Sequence, residues 1–146
     1  MVNSFFKDLP TLDRQSKPRE TGINYVRAPV MAGGVVEDYL AAFGEMVDIF
    51  KLSGKQAMMM SDDSLKAFIS ACKNHQVMVA VGNPVMDVAL TGGRETVEGM
   101  LASINKLGID IVELSSVARA IDDQDVCRII ESANEKGIKV INEVGV

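Results

Sequence analysis

Lys106-Leu107-Gly108-Ile109-Asp110-Ile111-Val112-Glu113 reads as a helix end, a glycine stop and an apolar strand closing on a carboxylate. The phrase returns at Lys136-Gly137-Ile138 and again runs through an apolar strand to a carboxylate, Glu143. A glycine just past the last helical residue supplies the left-handed backbone that ends a helix. Helix, glycine, strand, repeated, is the mark of a repeating βα unit. Between the two phrases, Asp122 or Asp123 caps a helix that stops at Gly137.

The same alternation extends upstream. Gln76 to Val81 is a strand, followed by the loop Gly82-Asn83-Pro84. Val85 to Leu90 begins a short helix, Gly92-Gly93 interrupts it, and Glu95 to Leu107 continues helically. Val47 to Leu52 is a compact apolar strand, and Ser61 caps the next helix, with Asp62 and Asp63 where the helix dipole favours acids. Ile23 to Ala28 is the first strand, broken by Pro29 and Gly33-Gly34 before an amphipathic helix over Val35 to Met46. Residues 1–21 carry Pro10, Pro18 and mixed charges without periodicity and read as an arm.

The order is therefore β-α-β-α-β-α-β-α-β. Strict alternation with apolar strands predicts a parallel sheet covered by helices. Two architectures fit. An open doubly wound sheet is complete with five strands, whereas a TIM-type (β/α) barrel needs eight strands and typically ~250 residues. Length favours the first. The charges at the strand ends favour the second, so the expected architecture is a partial (β/α)8 barrel of about five parallel strands over residues 22–146, lacking the last three.

The totals bound the function. The chain has 146 residues, a net charge of -5 and 47% hydrophobic residues, which suits one domain with a real core. This mild acidity leaves no electrostatic footprint for nucleic acid or an anionic membrane. Cys72 and Cys127 form no CxxC pair and read as reduced thiols of a cytoplasmic protein. Phe5 and Phe6 are too few for a signal-peptide core, and no apolar run approaches the ~20 residues that span a bilayer. His75 stands alone, and without Cys or His partners it builds no zinc site. Met58-Met59-Met60 reads as adaptable packing.

Three strands each carry one charge near the C-terminal end: Lys51, Glu113 and Glu143. A charge in a buried strand is costly unless paired or bound, and parallel α/β proteins gather their chemistry at that end. One reading is an internal ion pair of Lys51 with Glu113 or Glu143. The other is a site in which two carboxylates hold Mg²⁺ and the lysine moves a proton. Arg19 and Arg27 flank the first strand and could grip a phosphate or carboxylate, though Arg27 reads better as a solvated surface charge. Gly82-Asn83 could offer backbone N–H groups to a phosphate, and a plain turn explains it as well.

With those residues in place, the chain from about Lys17 to Val146 resembles the phosphosulfolactate synthase family. The likeness rests on Pro18-Arg19-x-x-Gly22, Val36-Glu37-Asp38-Tyr39-Leu40, Val47-Asp48-Ile49-Phe50-Lys51-Leu52, Glu113-Leu114-Ser115 and Asn142-Glu143-Val144-Gly145, in that order. It implies a (β/α)8 barrel that adds sulfite to phosphoenolpyruvate with Mg²⁺ for coenzyme M synthesis. It further implies Mg²⁺ on Glu113 and Glu143, Lys51 as proton donor, and Arg19 on an anionic substrate group. The loops depart from the family. Its Gly-Trp-Gly-Thr is here Ser53-Gly54-Lys55-Gln56, its Gly-Gly-Thr is Gly82-Asn83-Pro84, its Asp-Gly is Ser116-Val117, and an aspartate is replaced by Ala28. Lys55 is thereby a further candidate for anion binding, against the default of a solvated loop lysine.

The expected partners are a small anionic substrate and, since five strands cannot close a barrel, another copy of the chain in a homo-oligomer. A truncated product and an open sheet stand beside that as alternatives. A Schiff-base aldolase using Lys51 and an inactive binding relative are the competing functions.

Overall fold

Alternating side chains send the two parities of each strand to opposite faces of the sheet, and apolar clusters form on both. The computed structural model describes residues 5, 8–9, 14–27, 32–115 and 120–143. Its elements are β1 (Tyr25–Arg27), α1 (Gly33–Phe43), β2 (Ile49–Leu52), α2 (Gly54–Met59), α3 (Asp62–Asn74), β3 (Met78–Val81), α4 (Pro84–Thr91), α5 (Arg94–Leu107), β4 (Ile111–Ser115), α6 (Asp123–Glu135) and β5 (Lys139–Glu143). A 3-10 turn, Gly44–Met46, links α1 to β2. The five strands lie in the order β1-β2-β3-β4-β5, and every pair is parallel. This is a half-barrel of the TIM type, as the alternation of apolar strands and helices predicts.

Phe50, Leu52, Val79, Val81, Val112 and Leu114 point to the helices and are fully buried there with Val36, Leu40, Phe68, Leu101 and Ala133. Phe50 stacks on Tyr39 of α1 and Phe68 of α3, each at a centroid distance of 5.7 Å. Burying one such side chain contributes roughly 1.5–3 kcal/mol. The residues of opposite parity form a second, smaller cluster on the concave face, where Ile49, Ala80 and Ile111 pack with Met78 and Ile141.

The helix signals hold. Ser61 caps α3 by accepting the Ser64 N–H at 3.3 Å, and Asp122 caps α6 by accepting the Asp125 N–H at 2.8 Å. Gly108 ends α5 at φ 78°. Two expectations are corrected. Lys55 does not stand in a loop, since Gly54–Met59 is helical. Nor are all three methionines there packing groups, since Met59 is 86% exposed and only Met60 packs against the core.

The N-terminal segment has no regular element over residues 14–24, yet it is pinned to the sheet's N-terminal end. Arg19 Nη1 donates to Asp48 Oδ1 at 2.6 Å, Arg14 Nη2 to Asp48 Oδ2 at 3.1 Å, and the Asn24 N–H to Asp48 Oδ2 at 2.8 Å. Lys17 Nζ donates to the carbonyls of Gly44 and His75 at 2.8 and 2.9 Å. Burial pushes the Asp48 carboxyl up, but the Asn24 N–H and the guanidinium groups of Arg19 and Arg14 outweigh it and hold the group below the usual carboxylate range. Pro10, Ala28, Pro29, Ser116, Val117, Val144 and Gly145, on which some of the sequence reading rests, lie outside the described residues.

Candidate active site

The two ends of the sheet use charge differently. At the N-terminal end, Asp48 and Asp110 are engaged structurally: Asp110 accepts the Val79 N–H at 2.7 Å and pairs with Lys73 at 2.5 Å. At the C-terminal end, a cleft of about 270 Å³ is lined by Arg27, Lys51, Ser53, Gly54, Gly82, Asn83, Pro84, Glu113, Ser115 and Glu143. The parallel register explains the gathering. Arg27 pairs with Lys51, Lys51 with Ala80, Ala80 with Ile111 and Ser115 with Glu143, so the side chains in this one register, odd-numbered except on β3, share the concave face.

Glu113 is the centre. It is 3% exposed, and a carboxylate so buried needs donors. Its Oε2 meets Lys51 Nζ at 2.7 Å and accepts the Asn83 N–H at 3.2 Å. Its Oε1 accepts the Tyr25 phenol at 2.5 Å. Burial first, then that hydrogen bond, then the charges of Glu113 and Glu143 push the Tyr25 phenol upward, so it stays a donor. Lys51 Nζ lies 5.9 Å from the Tyr25 ring centroid.

The loops fix this cluster through backbone contact. Asn83 Oδ1 accepts the Ser115 N–H at 3.0 Å, and its Nδ2 donates to Asp87 Oδ2 at 2.8 Å. The turn after β2 touches the turn after β3. A Cβ on Gly54 would stand 2.4 Å from the Gly82 carbonyl oxygen, so a glycine is required for this approach.

The structure brings together Lys51, Glu113, Glu143, Gly82 and Asn83 from the sequence-derived candidates. It does not bring Arg19, whose side chain is buried against Asp48 at the other end of the strands. Arg19 is a structural cation there, and its expected place on the substrate is corrected. Lys55 is exposed on α2 and is not among the residues lining the cleft. Arg27, read as a solvated charge, is a rim residue facing the cleft. Tyr25 was missed altogether. The signal was available, since in Tyr25-Val26-Arg27 the period of two sends residues 25 and 27 to one face.

Magnesium takes a hard, octahedral oxygen shell built from one or two carboxylates, waters and substrate oxygens. Glu113 does not fit that role as it stands, because both its oxygens are engaged by Tyr25, Lys51 and Asn83. Glu143 is exposed on the rim. Among the described residues no group of three His, Cys, Asp or Glu side chains gathers to hold a metal. A larger hollow of about 350 Å³ lies between the first turns of α5 and α6, lined by Arg94, Glu98, Asp122, Asp125 and Arg128 among others. Arg128 already holds Asp125 there, and no strand-end residue reaches it, so volume does not decide the site.

Five parallel strands alternating with helices, with a half-buried lysine on a buried carboxylate at their C-terminal rim, place the chain among proteins built on the (β/α) barrel plan. Solved structures support that plan. The fold matches a β-arabinopyranosidase (TM-score 0.57, 13% identity, 89% of this chain and 24% of that one). It also matches a putative fructose-1,6-bisphosphate aldolase from Coccidioides immitis (TM-score 0.56, 11% identity, 82% and 45%). These likenesses show the fold alone. By sequence, residues 12–146 match the family model of (2R)-phospho-3-sulfolactate synthase (ComA), and the chain belongs to that family. It is 26% identical over 144 residues to the phosphosulfolactate synthase of Methanothermobacter thermautotrophicus, covering 99% of this chain and 54% of the relative. It is 28% identical over 110 residues to that of Methanocaldococcus jannaschii, covering 75% and 43%. The chain thus spans about half the length of the curated relatives it matches. No helix among the described residues is long and apolar enough to cross a membrane.

Proposed function

We propose that the cleft carries out phosphosulfolactate-synthase-type chemistry, the addition of sulfite to phosphoenolpyruvate or to a related small anionic acid. The observation that carries this reading is the Lys51 ammonium held on Glu113 at 2.7 Å, beside Arg27, in a chain of this family. Arg27 suits a carboxylate or phosphate, which its planar fork binds through two N–H groups. Sulfite sulfur attacks the methylene carbon and forms the C–S bond. The π electrons move toward the carboxylate as an enolate-type anion, and Lys51 delivers a proton to the adjacent carbon. Glu113 then stands beside the amine as its hydrogen-bond partner. No step is assigned to Mg²⁺, because Glu113 is committed to its three donors.

The test is turnover of phosphoenolpyruvate and sulfite, followed by formation of the sulfonated product. Lys51→Met should abolish it while circular dichroism stays native, and Lys51→Arg should keep the charge and fold but not the rate. A Lys51→Met protein that retains full turnover would overturn the reading. The Schiff-base alternative needs a free amine lone pair, and the close carboxylate instead poses Lys51 as an ammonium. A borohydride-trapped adduct on Lys51 with a carbonyl substrate would reverse that preference. A chain that turns over neither substrate would be the binding relative.

A further inference from the structure

Glu113 has two oxygens and one of them must face Lys51 for the pair to act on a substrate. The strands alone do not ensure this, since a carboxylate turns about its terminal bond over a broad range. Asn83 holds Oε2 from the loop after β3. Oε1 is held along the same concave face, from the edge strand β1 three strands away, by a residue that the family motifs do not include. We propose that Tyr25 is a positioning residue of the cleft: its phenol holds Oε1 of Glu113 and so keeps Oε2 turned onto the Lys51 ammonium. The proposal rests on the reading of Lys51 as a proton donor, and it adds the residue that aims Lys51's partner.

The contacts support it. The bond is 2.5 Å long, in the range of an O–H donor on an ionised acceptor, about twice as strong as a neutral pair. Tyr25 is 39% exposed and lies outside both apolar clusters, so core packing does not account for its ring. The charged groups that face it are Glu113 from β4, Lys51 from β2 and Glu143 from β5, with Arg27 on its own strand. The carboxylates favour the protonated phenol, which is the form that can donate. The ring also lies beside the lysine, at 5.9 Å from Nζ, so one side chain touches both members of the pair.

The chain contains no tryptophan and two tyrosines, so tyrosine emission is directly readable. Tyr39→Phe leaves Tyr25 as the single phenol and keeps the ring stacked on Phe50. A phenol bonded to a carboxylate is quenched by excited-state proton transfer. In the Tyr39→Phe background, Glu113→Gln should therefore raise the emission several-fold, and Lys51→Met, which leaves the phenol–carboxylate bond in place, should not. In the otherwise unaltered chain, Tyr25→Phe should lower kcat by about ten- to a hundredfold, the scale of a misplaced catalytic group, with KM little changed. Emission that is the same with and without the Glu113 carboxylate would overturn the proposal. So would an unchanged kcat in Tyr25→Phe when Lys51→Met is inactive. If Lys51→Met retains its turnover, the functional reading fails instead, and the emission pair by itself decides whether Tyr25 holds Glu113.

Discussion

Replacing Asp48 by asparagine should unfold the protein more readily, without any part of the cleft being touched. Asp48 is 5% exposed and the side chain of its partner Arg19 is 4% exposed, with Nη1 and Oδ1 at 2.6 Å. Removing one member of a buried ion pair strands the other charge and costs about 3–5 kcal/mol. The Asp48→Asn side chain keeps one carbonyl oxygen for the Asn24 N–H or a guanidinium, so the lower end, about 3 kcal/mol, is expected. Against a typical total of about 5–15 kcal/mol this is a large fraction. With a urea slope of about 2 kcal/mol per molar, the midpoint should fall by about 1.5 M. Equilibrium unfolding in urea, followed by far-ultraviolet circular dichroism, reads it. Arg19→Met/Asp48→Leu should recover only part of the loss, because it removes the Arg19 and Asp48 charges together but leaves Arg14 and the Asn24 N–H without their acceptor. Acid gives a second reading. The folded Asp48 carboxyl lies below its ordinary value of 3.8, so its contribution is full above that pH and is lost as the pH falls through the lower folded value. In Asp48→Asn that part of the acid sensitivity should vanish. An Asp48→Asn unfolding free energy within about 0.5 kcal/mol of the parent would refute the argument. Arg19→Met with unchanged stability but a raised KM would return Arg19 to the substrate.

Two further outcomes follow from the same geometry. Gly54→Ala should destabilise by about 1–3 kcal/mol and weaken binding of a phosphoenolpyruvate probe, because the new Cβ meets backbone atoms, the oxygen of the cleft-lining Gly82 at 2.4 Å and the Val85 nitrogen at 2.8 Å; urea unfolding and calorimetric titration measure the two effects. Iodoacetamide should alkylate exposed Cys127 in the native protein and spare Cys72, which is fully buried and whose thiol burial pushes up to about 12; mass spectrometry reads this, and labelling of Cys72 without unfolding would contradict it.

The fold was legible because its signals are local. The central strands β2, β3 and β4 are short, mainly apolar runs, and the caps at Ser61 and Asp122 and the stop at Gly108 act within one turn. What escaped was α2, whose six residues are too few to show a helical period. The site was legible in part. Lys51, Glu113 and Glu143 stood out as charges in apolar strands, and shared parity brings them to one face. Arg19 misled, because a lone arginine beside a strand does not reveal that its counter-ion lies 29 positions away at Asp48. Tyr25 escaped, and Arg27 was named but set aside as a surface charge, because β1 is only three residues long and half exposed, so its alternation carries little contrast. The pairing of Tyr25 with Glu113, 88 positions apart, depends on two strands that are not neighbours in the sheet.

Chemistry and core occupy alternate positions on the same few residues of backbone. In Ile49-Phe50-Lys51-Leu52 a slip of one position would thrust the lysine among the aromatic rings of α1 and α3 and strand Phe50 in the open groove. Misaligned pairing is therefore penalised twice, once by a desolvated ammonium and once by a wetted ring. Selection acting on either one guards the other, which ties the survival of the rim residues to the survival of the sheet.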